Sequence, residues 1–224
     1  LPKLVITDID GVWTDGGMYY TAEGDVMKRF SVKDGWGVIF LRELDIPVAI
    51  MTGENTQIVQ KRADKLKIDY CYLGVKDKVA QAEELCRELG ISLGEVAFIG
   101  DDLNDLPLLR LVGYSASPSN TPEYVKREVK YVTAAHGGYG AFREFVEKLL
   151  SDNGVLEKTV GKCPLCVWMG RFRRTCQMCG NGITLETAAL PRFIMPLTNP
   201  ASLCVADCGR GNSIRFTSSI VHCG

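Results

Sequence analysis

Apolar residues in the first 150 positions fall into short runs between polar turns, and two kinds of spacing alternate along the chain. Leu4-Val5-Ile6-Thr7, Val48-Ala49-Ile50-Met51 and Val96-Ala97-Phe98-Ile99 are compact, largely apolar runs, the mark of strands buried on both faces. Between them Val38, Leu41 and Leu44 recur at three-residue spacing, and so do Val79, Ala82 and Leu85, with Leu89 one turn on. That spacing predicts helices with one buried face, the first opening at Asp34-Gly35 and closed off by Pro47. Further strands are expected at Tyr70-Cys71-Tyr72, Tyr114-Ser115-Ala116 and Tyr131-Val132. Further helices are expected over about 55–66, 77–89 and 103–111, from Pro122, and from Ala141 to Leu150. Met18-Tyr19-Tyr20 and Val26 to Phe30 flank the turn-forming Ala22-Glu23-Gly24-Asp25, which predicts an inserted β-hairpin. Strand–helix alternation of this kind implies an α/β fold: a parallel sheet with helices on both faces and ligands at the carboxyl ends of the strands.

Composition divides the chain in two. The 224 residues carry 26 basic and 27 acidic side chains, so net charge gives no reason to expect nucleic acid or an anionic membrane as partner. Residues 1–150 hold 18 basic and 23 acidic residues, whereas the remaining 74 hold 8 and 4. Only Cys71 and Cys86 lie before Leu150; Cys163, Cys166, Cys176, Cys179, Cys204, Cys208 and Cys223 follow it. An α/β domain over 1–150 and a cysteine-rich tail over 151–224 are therefore expected, joined by a linker at Ser151-Asp152-Asn153-Gly154. No apolar run reaches the roughly 18 residues of a membrane span, and Leu1-Pro2-Lys3 leads directly into a strand, so the expected location is cytoplasmic.

Four strand ends carry polar groups that stability does not require. Asp8 and Asp10 follow the first strand, and two such carboxylates repel unless a cation lies between them and an anionic substrate. Thr52-Gly53 follows the second, offering a hydroxyl and an amide to phosphate oxygens, although such pairs also serve as simple turns. Lys78 opens a helix, where a lysine opposes the dipole and is commonly solvated. Gly100-Asp101-Asp102-Leu103-Asn104-Asp105 brings oxygen ligands suited to a hard cation such as Mg²⁺, some of which can equally cap a helix.

The order Asp-x-Asp, Thr, Lys, Asp-Asp at successive strand ends resembles the haloacid dehalogenase superfamily of aspartate-dependent phosphotransferases, which implies a Rossmann-like fold. The resemblance implies attack by Asp8 on phosphorus, with Asp10 as general acid and base. It further implies that Thr52 and Gly53 grip the phosphoryl group and that Lys78 neutralises charge. Mg²⁺ would be held by Asp8, the Asp10 carbonyl and Asp101, with Asp102 and Asp105 behind them. Thirty-five residues separate Gly16 from Thr52 and 24 separate Gly53 from Lys78, too few for a cap domain, so a capless member is expected. Asp8 to Gly17, Phe30 to Gly37, Gly100 to Asp105 and Gly137-Gly138-Tyr139-Gly140 are similar to the 3-deoxy-octulosonate 8-phosphate phosphatases and their nonulosonate 9-phosphate relatives. Membership of this group implies a homotetramer whose subunits cover each other's sites, with the hairpin reaching the neighbour. Glu54 after Thr52-Gly53 resembles the nonulosonate (sialic-acid-type) branch, where it and Lys65 would contact the sugar acid. The expected substrate is thus a nine-carbon sugar acid phosphate. The alternative is 3-deoxy-D-manno-octulosonate 8-phosphate, an intermediate of lipopolysaccharide biosynthesis. One departure is His136, a weaker cation where relatives carry Arg or Lys; an exposed loop histidine is the plainer reading of it.

A non-enzymatic module, either a phosphoacceptor domain or a zinc-binding protein, is the competing class. Cys163-x₂-Cys166 and Cys176-x₂-Cys179 have the form of a four-thiolate zinc site with a short intervening loop. Arg171, Arg173 and Arg174 in that loop offer contacts to a partner. A poorly structured extension and a non-native read-through remain open beside it, since periodicity fades after Gly182.

Overall fold

The computed structural model describes residues 1–162 and two later strands, Leu203–Asp207 and Arg215–Ser219. Eight strands and seven helices make up the first part: β1 (Leu4–Thr7), β2 (Tyr19–Thr21), β3 (Gly24–Met27), α1 (Val32–Arg42), β4 (Val48–Met51), α2 (Gln57–Leu66), β5 (Tyr70–Tyr72), α3 (Lys78–Leu89), β6 (Val96–Ile99), α4 (Leu106–Leu111), β7 (Tyr114–Ser117), α5 (Glu123–Lys126), β8 (Tyr131–Val132), α6 (Ala141–Asp152) and α7 (Leu156–Lys162). A single 3₁₀ turn, Leu93–Glu95, precedes β6.

Six strands form one parallel sheet in the order β5-β4-β1-β6-β7-β8. Successive strand residues enter opposite cores. Val5, Val48, Ile50, Ala97 and Ile99 meet α1, α2 and α6 through Phe40, Val59, Phe142 and Phe145. Leu4, Ile6, Ala49, Met51 and Phe98 meet α3, α4 and α5 through Leu85, Leu109 and Val125. Burying a side chain of this size stabilises the fold by about 1.5–3 kcal/mol, which is why the unbroken apolar runs hold the centre of the sheet. Trp13, fully buried, packs 4.7 Å from Phe142 and donates its indole N–H to Thr7 Oγ1 at 2.9 Å, tying the loop after β1 to α6.

Element ends shift where side chains cap them. α1 starts at Val32 rather than Asp34 because Ser31 accepts the N–H of Lys33. Thr56 and Asp77 cap α2 and α3 in the same way. The expected helix over 103–111 shortens to Leu106–Leu111, since the Asp105 carboxylate turns the preceding loop by accepting the N–H of Asp101 and Asp102. The hairpin is tighter than expected: Gly24, at φ +121°, lets Tyr19–Thr21 return directly as Gly24–Met27, and Lys28 turns inward.

The segment expected as a linker is a helix end and a turn. α6 runs to Asp152, Gly154 adopts φ +66°, and α7 follows with Val155, Leu156 and Val160 against the same core. In the later part, β9 (Leu203–Asp207) and β10 (Arg215–Ser219) pair antiparallel, where the sequence showed no periodicity. Cys163, Cys166, Cys176 and Cys179, with Arg171, Arg173 and Arg174, lie outside the described residues. Among the described residues no helix is long and apolar enough to cross a membrane, and the hairpin is the main insertion into the α/β unit.

Candidate active site

β1 lies between β4 and β6, with Thr7 level with Ile50 on one side and Ile99 on the other. This register brings the residues after the three strands, Asp8, Thr52 and Asp101, to one end of the sheet. They line a single cavity of about 290 Å³ together with Asp10, Gly11, Gly16, Gly53, Glu54, Asp102 and Asn104. The loop after β1 is held open by one helical turn in which the Ile9 carbonyl accepts the N–H groups of Val12, Trp13 and Thr14. Gly11, at φ +85°, leaves room for the Asp101 carboxylate; a Cβ there would lie 1.8 Å from Asp101 Oδ2.

Asp8 is buried, and its Oδ1 accepts from Lys78 Nζ at 2.7 Å. Lys78 also donates to Asp105 Oδ1 at 2.5 Å, so the lysine is buried between two carboxylates rather than solvated. Burial alone would depress its pKa, but Asp8 and Asp105 outweigh burial and hold it above the ordinary lysine value. Burial pushes Asp8 up to about 7, with Lys78 pulling down and Asp105 pushing up. Asp101 rises further, to about 8, through burial and then the neighbouring charges of Asp8, Asp105 and Asp102.

Carboxylate oxygens of Asp8, Asp101 and Asp105 lie within 4.8 Å of one another. Lys78 bonds two of the three carboxylates, and Asp101 has no ion-pair partner among the described residues. Three charges against one leave a formal excess of two negatives among hard oxygen donors, which fits a divalent cation. Asp105 is fully buried and bonded to Lys78 and the Asp101 N–H, so it braces the site from behind. Asp102 is exposed, accepting from the Leu103 N–H and the Tyr124 hydroxyl. Thr52 is buried; its hydroxyl accepts the Glu54 N–H at 3.3 Å.

Asp10 has a partner that the sequence did not disclose. Its Oδ1 accepts from Lys28 Nζ at 2.8 Å and from Thr14 Oγ1 at 3.3 Å. Lys28 comes from the end of the hairpin, and nothing in Asp25-Val26-Met27-Lys28-Arg29 separates it from the exposed Arg29.

Comparison with known proteins supplies the chemistry of this geometry. Residues 74–141 match the haloacid dehalogenase-like hydrolase family. The chain is 40% identical over 152 residues to the 3-deoxy-D-manno-octulosonate 8-phosphate phosphatase of Haemophilus influenzae, a match covering 68% of this chain and 84% of that one. The chain belongs to the 3-deoxy-D-manno-octulosonate 8-phosphate phosphatase-like haloacid dehalogenase family. It is a phosphatase. Among solved structures of that family, the Moraxella catarrhalis enzyme in complex with magnesium ion, phosphate ion and the sugar acid superposes with a TM-score of 0.69 at 36% identity, covering 71% of this chain and 92% of that one. The cobalt-bound Haemophilus influenzae enzyme gives 0.69 at 37% identity, covering 75% and 96%.

Within the family frame, the residues expected to read the sugar separate. Glu54 lines the cavity of its own chain. Lys65 stands exposed in the last turn of α2, the end of that helix away from Thr52, and does not line that cavity. His136 is exposed, while the glycines after it pack tightly: the Gly138 N–H donates to the Val12 carbonyl at 2.9 Å, and a Cβ on Gly137 would lie 1.8 Å from the Gly11 carbonyl. The Gly-Gly-x-Gly segment therefore buttresses the Asp8 loop.

Proposed function

We propose that this phosphatase hydrolyses 3-deoxy-D-manno-octulosonate 8-phosphate, with Asp8 as nucleophile and Asp10 as general acid and base. The observation that carries the reading is the buried Asp8 carboxylate, bonded to Lys78 and beside Asp101, in a chain 40% identical to an enzyme of that specificity. Asp8 forms a bond to phosphorus as the bond from phosphorus to the sugar oxygen breaks, and Asp10 gives its proton to the departing alkoxide. Asp10 then takes a proton from the water that attacks the aspartyl-phosphate, releasing phosphate and restoring both carboxyls. Thr52 and the Gly53 amide hold phosphoryl oxygens, and Lys78 offsets their charge.

The hard, anionic donor set fits Mg²⁺, with Asp8, Asp101 and the Asp10 carbonyl as the residues that would hold it. When bound, the ion neutralises nucleophile and phosphoryl charge, which otherwise repel. The Moraxella relative, in complex with magnesium ion, phosphate ion and sugar acid, supports Mg²⁺ as the ion here.

A nine-carbon nonulosonate 9-phosphate is the second reading, favoured by Glu54 in the cavity wall after Thr52-Gly53. The test compares kcat/KM on the two substrates for the wild type and Glu54→Arg. The main reading expects the eight-carbon substrate to be preferred by wild type; a nine-carbon preference that Glu54→Arg reverses would establish the second. We also propose a homotetramer in which the hairpin's exposed Tyr19, Tyr20, Val26 and Met27 meet another copy, and Lys65 reaches a neighbour's site rather than its own. A monomer by sedimentation at full activity would refute that assembly.

A further inference from the structure

We infer that Lys28 is a positioning residue for proton transfer: from the end of the hairpin it fixes the Asp10 carboxylate, through one oxygen, in the wall of the cavity. The inference rests on the proposed role of Asp10. The Lys28 side chain has no solvent exposure. Burying an ammonium costs several kcal/mol unless it is paired, and fixing a lysine also costs side-chain entropy, so its placement needs a compensating partner.

A simple hairpin staple would use the hairpin's own carboxylate. Asp25 is available, yet its nearest oxygen lies 3.7 Å from Lys28 Nζ, and both Asp25 oxygens are buried without a hydrogen bond among the described residues. The short contact instead runs 2.8 Å to Asp10, 18 residues earlier in the chain. Met18 Sδ lies at 3.8 Å on another side of the ammonium. Lys28 is thus enclosed by Asp10, Asp25 and Met18, with little freedom to move away.

Asp10 is held asymmetrically as a result. Oδ1 carries both the Lys28 and the Thr14 contacts, while Oδ2 is buried with no hydrogen-bond partner among the described residues. A carboxylate pinned through one oxygen keeps a fixed orientation, the condition for efficient proton transfer. Without Lys28, only the longer Thr14 contact would orient the group.

Leaving-group dependence separates this role from a structural one. A sugar alkoxide needs a proton to depart, whereas p-nitrophenolate does not. Single-turnover release of the leaving group is measured with octulosonate 8-phosphate and with p-nitrophenyl phosphate for wild type, Lys28→Met, Lys28→Arg and Asp10→Asn, all in the full chain. General acid catalysis is worth about 10²–10⁴-fold, so Lys28→Met is expected to slow release from the sugar phosphate by roughly tenfold or more and from the nitrophenyl ester by less than about threefold. Lys28→Arg should recover most of the loss. Equal slowing of both substrates by Lys28→Met, or of neither, overturns the inference while Asp10→Asn still discriminates between them. Equal slowing by Asp10→Asn removes the role of Asp10 itself. Should Lys28→Met fail to fold, the same substrate ratio is read from Lys28→Gln.

Discussion

Gly11 decides where Asp101 can sit. Its φ of +85° already disfavours a side chain, and a Cβ would lie 1.8 Å from an Asp101 oxygen. Gly11→Ala must therefore displace a carboxylate of the proposed cation site. Groups that support metal ligands are typically worth about 10–100-fold in affinity, so the Mg²⁺ concentration for half-maximal activity should rise at least about tenfold. An unchanged Mg²⁺ titration would show that Asp101 is not a ligand. At this scale Asp8, Thr52, Lys78 and Asp101 were legible because each follows a strand or opens a helix at a fixed place in the pattern. Lys28 was not, because its burial depends on how the chain leaves the hairpin, which no periodicity records.

Among the elements, the seam between α1 and α6 is the most tightly determined. A Cβ on Gly37 would meet Phe142 at 2.9 Å, so glycine lets the two helices approach. Asp34 in the first turn of α1 is fully buried; one oxygen accepts the Arg143 N–H of α6 at 3.2 Å and the other has no hydrogen-bond partner among the described residues. Burial raises its pKa to about 6, against the pull of the Arg143 N–H and Arg62. A carboxyl whose folded pKa lies above its unfolded value favours the folded state at low pH and loses that contribution as pH rises through the folded pKa. The window here runs from about pH 4 to about pH 6. Asp34→Asn should gain stability relative to wild type by roughly 3 kcal/mol across that window, as read by urea unfolding at its two ends. A constant difference would place the titration elsewhere. The strands of the parallel sheet were read almost to the residue, most surely β1, β4 and β6, whose runs are buried on both faces, whereas the exposed hairpin strand expected at Val26 to Phe30 lies at Gly24–Met27. Helix starts moved by one to three residues, because Ser31, Thr56, Asp77 and Asp105 set them through individual hydrogen bonds.

For the whole molecule, the sheet order β5-β4-β1-β6-β7-β8 explains why chemistry so distant in sequence converges: β1 is central, and its neighbours deliver Thr52 and Asp101. The change of composition near Leu150 was plain in the sequence, but packing against the α1–α6 core continues through Val160 of α7. A chain ended after Lys162 is expected to keep the kcat/KM of the full protein, whereas one ended after Leu150 should melt earlier, having lost Val155, Leu156 and Val160 from the core. Loss of activity on removing residues 163–224 would assign them a part in the site. The most direct test of the central claim is acid quenching during turnover of octulosonate 8-phosphate with Mg²⁺, followed by mass spectrometry of the peptide holding Asp8. The mechanism predicts a phosphoryl group on Asp8, and neither adduct nor phosphate release in Asp8→Asn. Undiminished turnover in Asp8→Asn, or a phosphoryl group on a different residue, would contradict it.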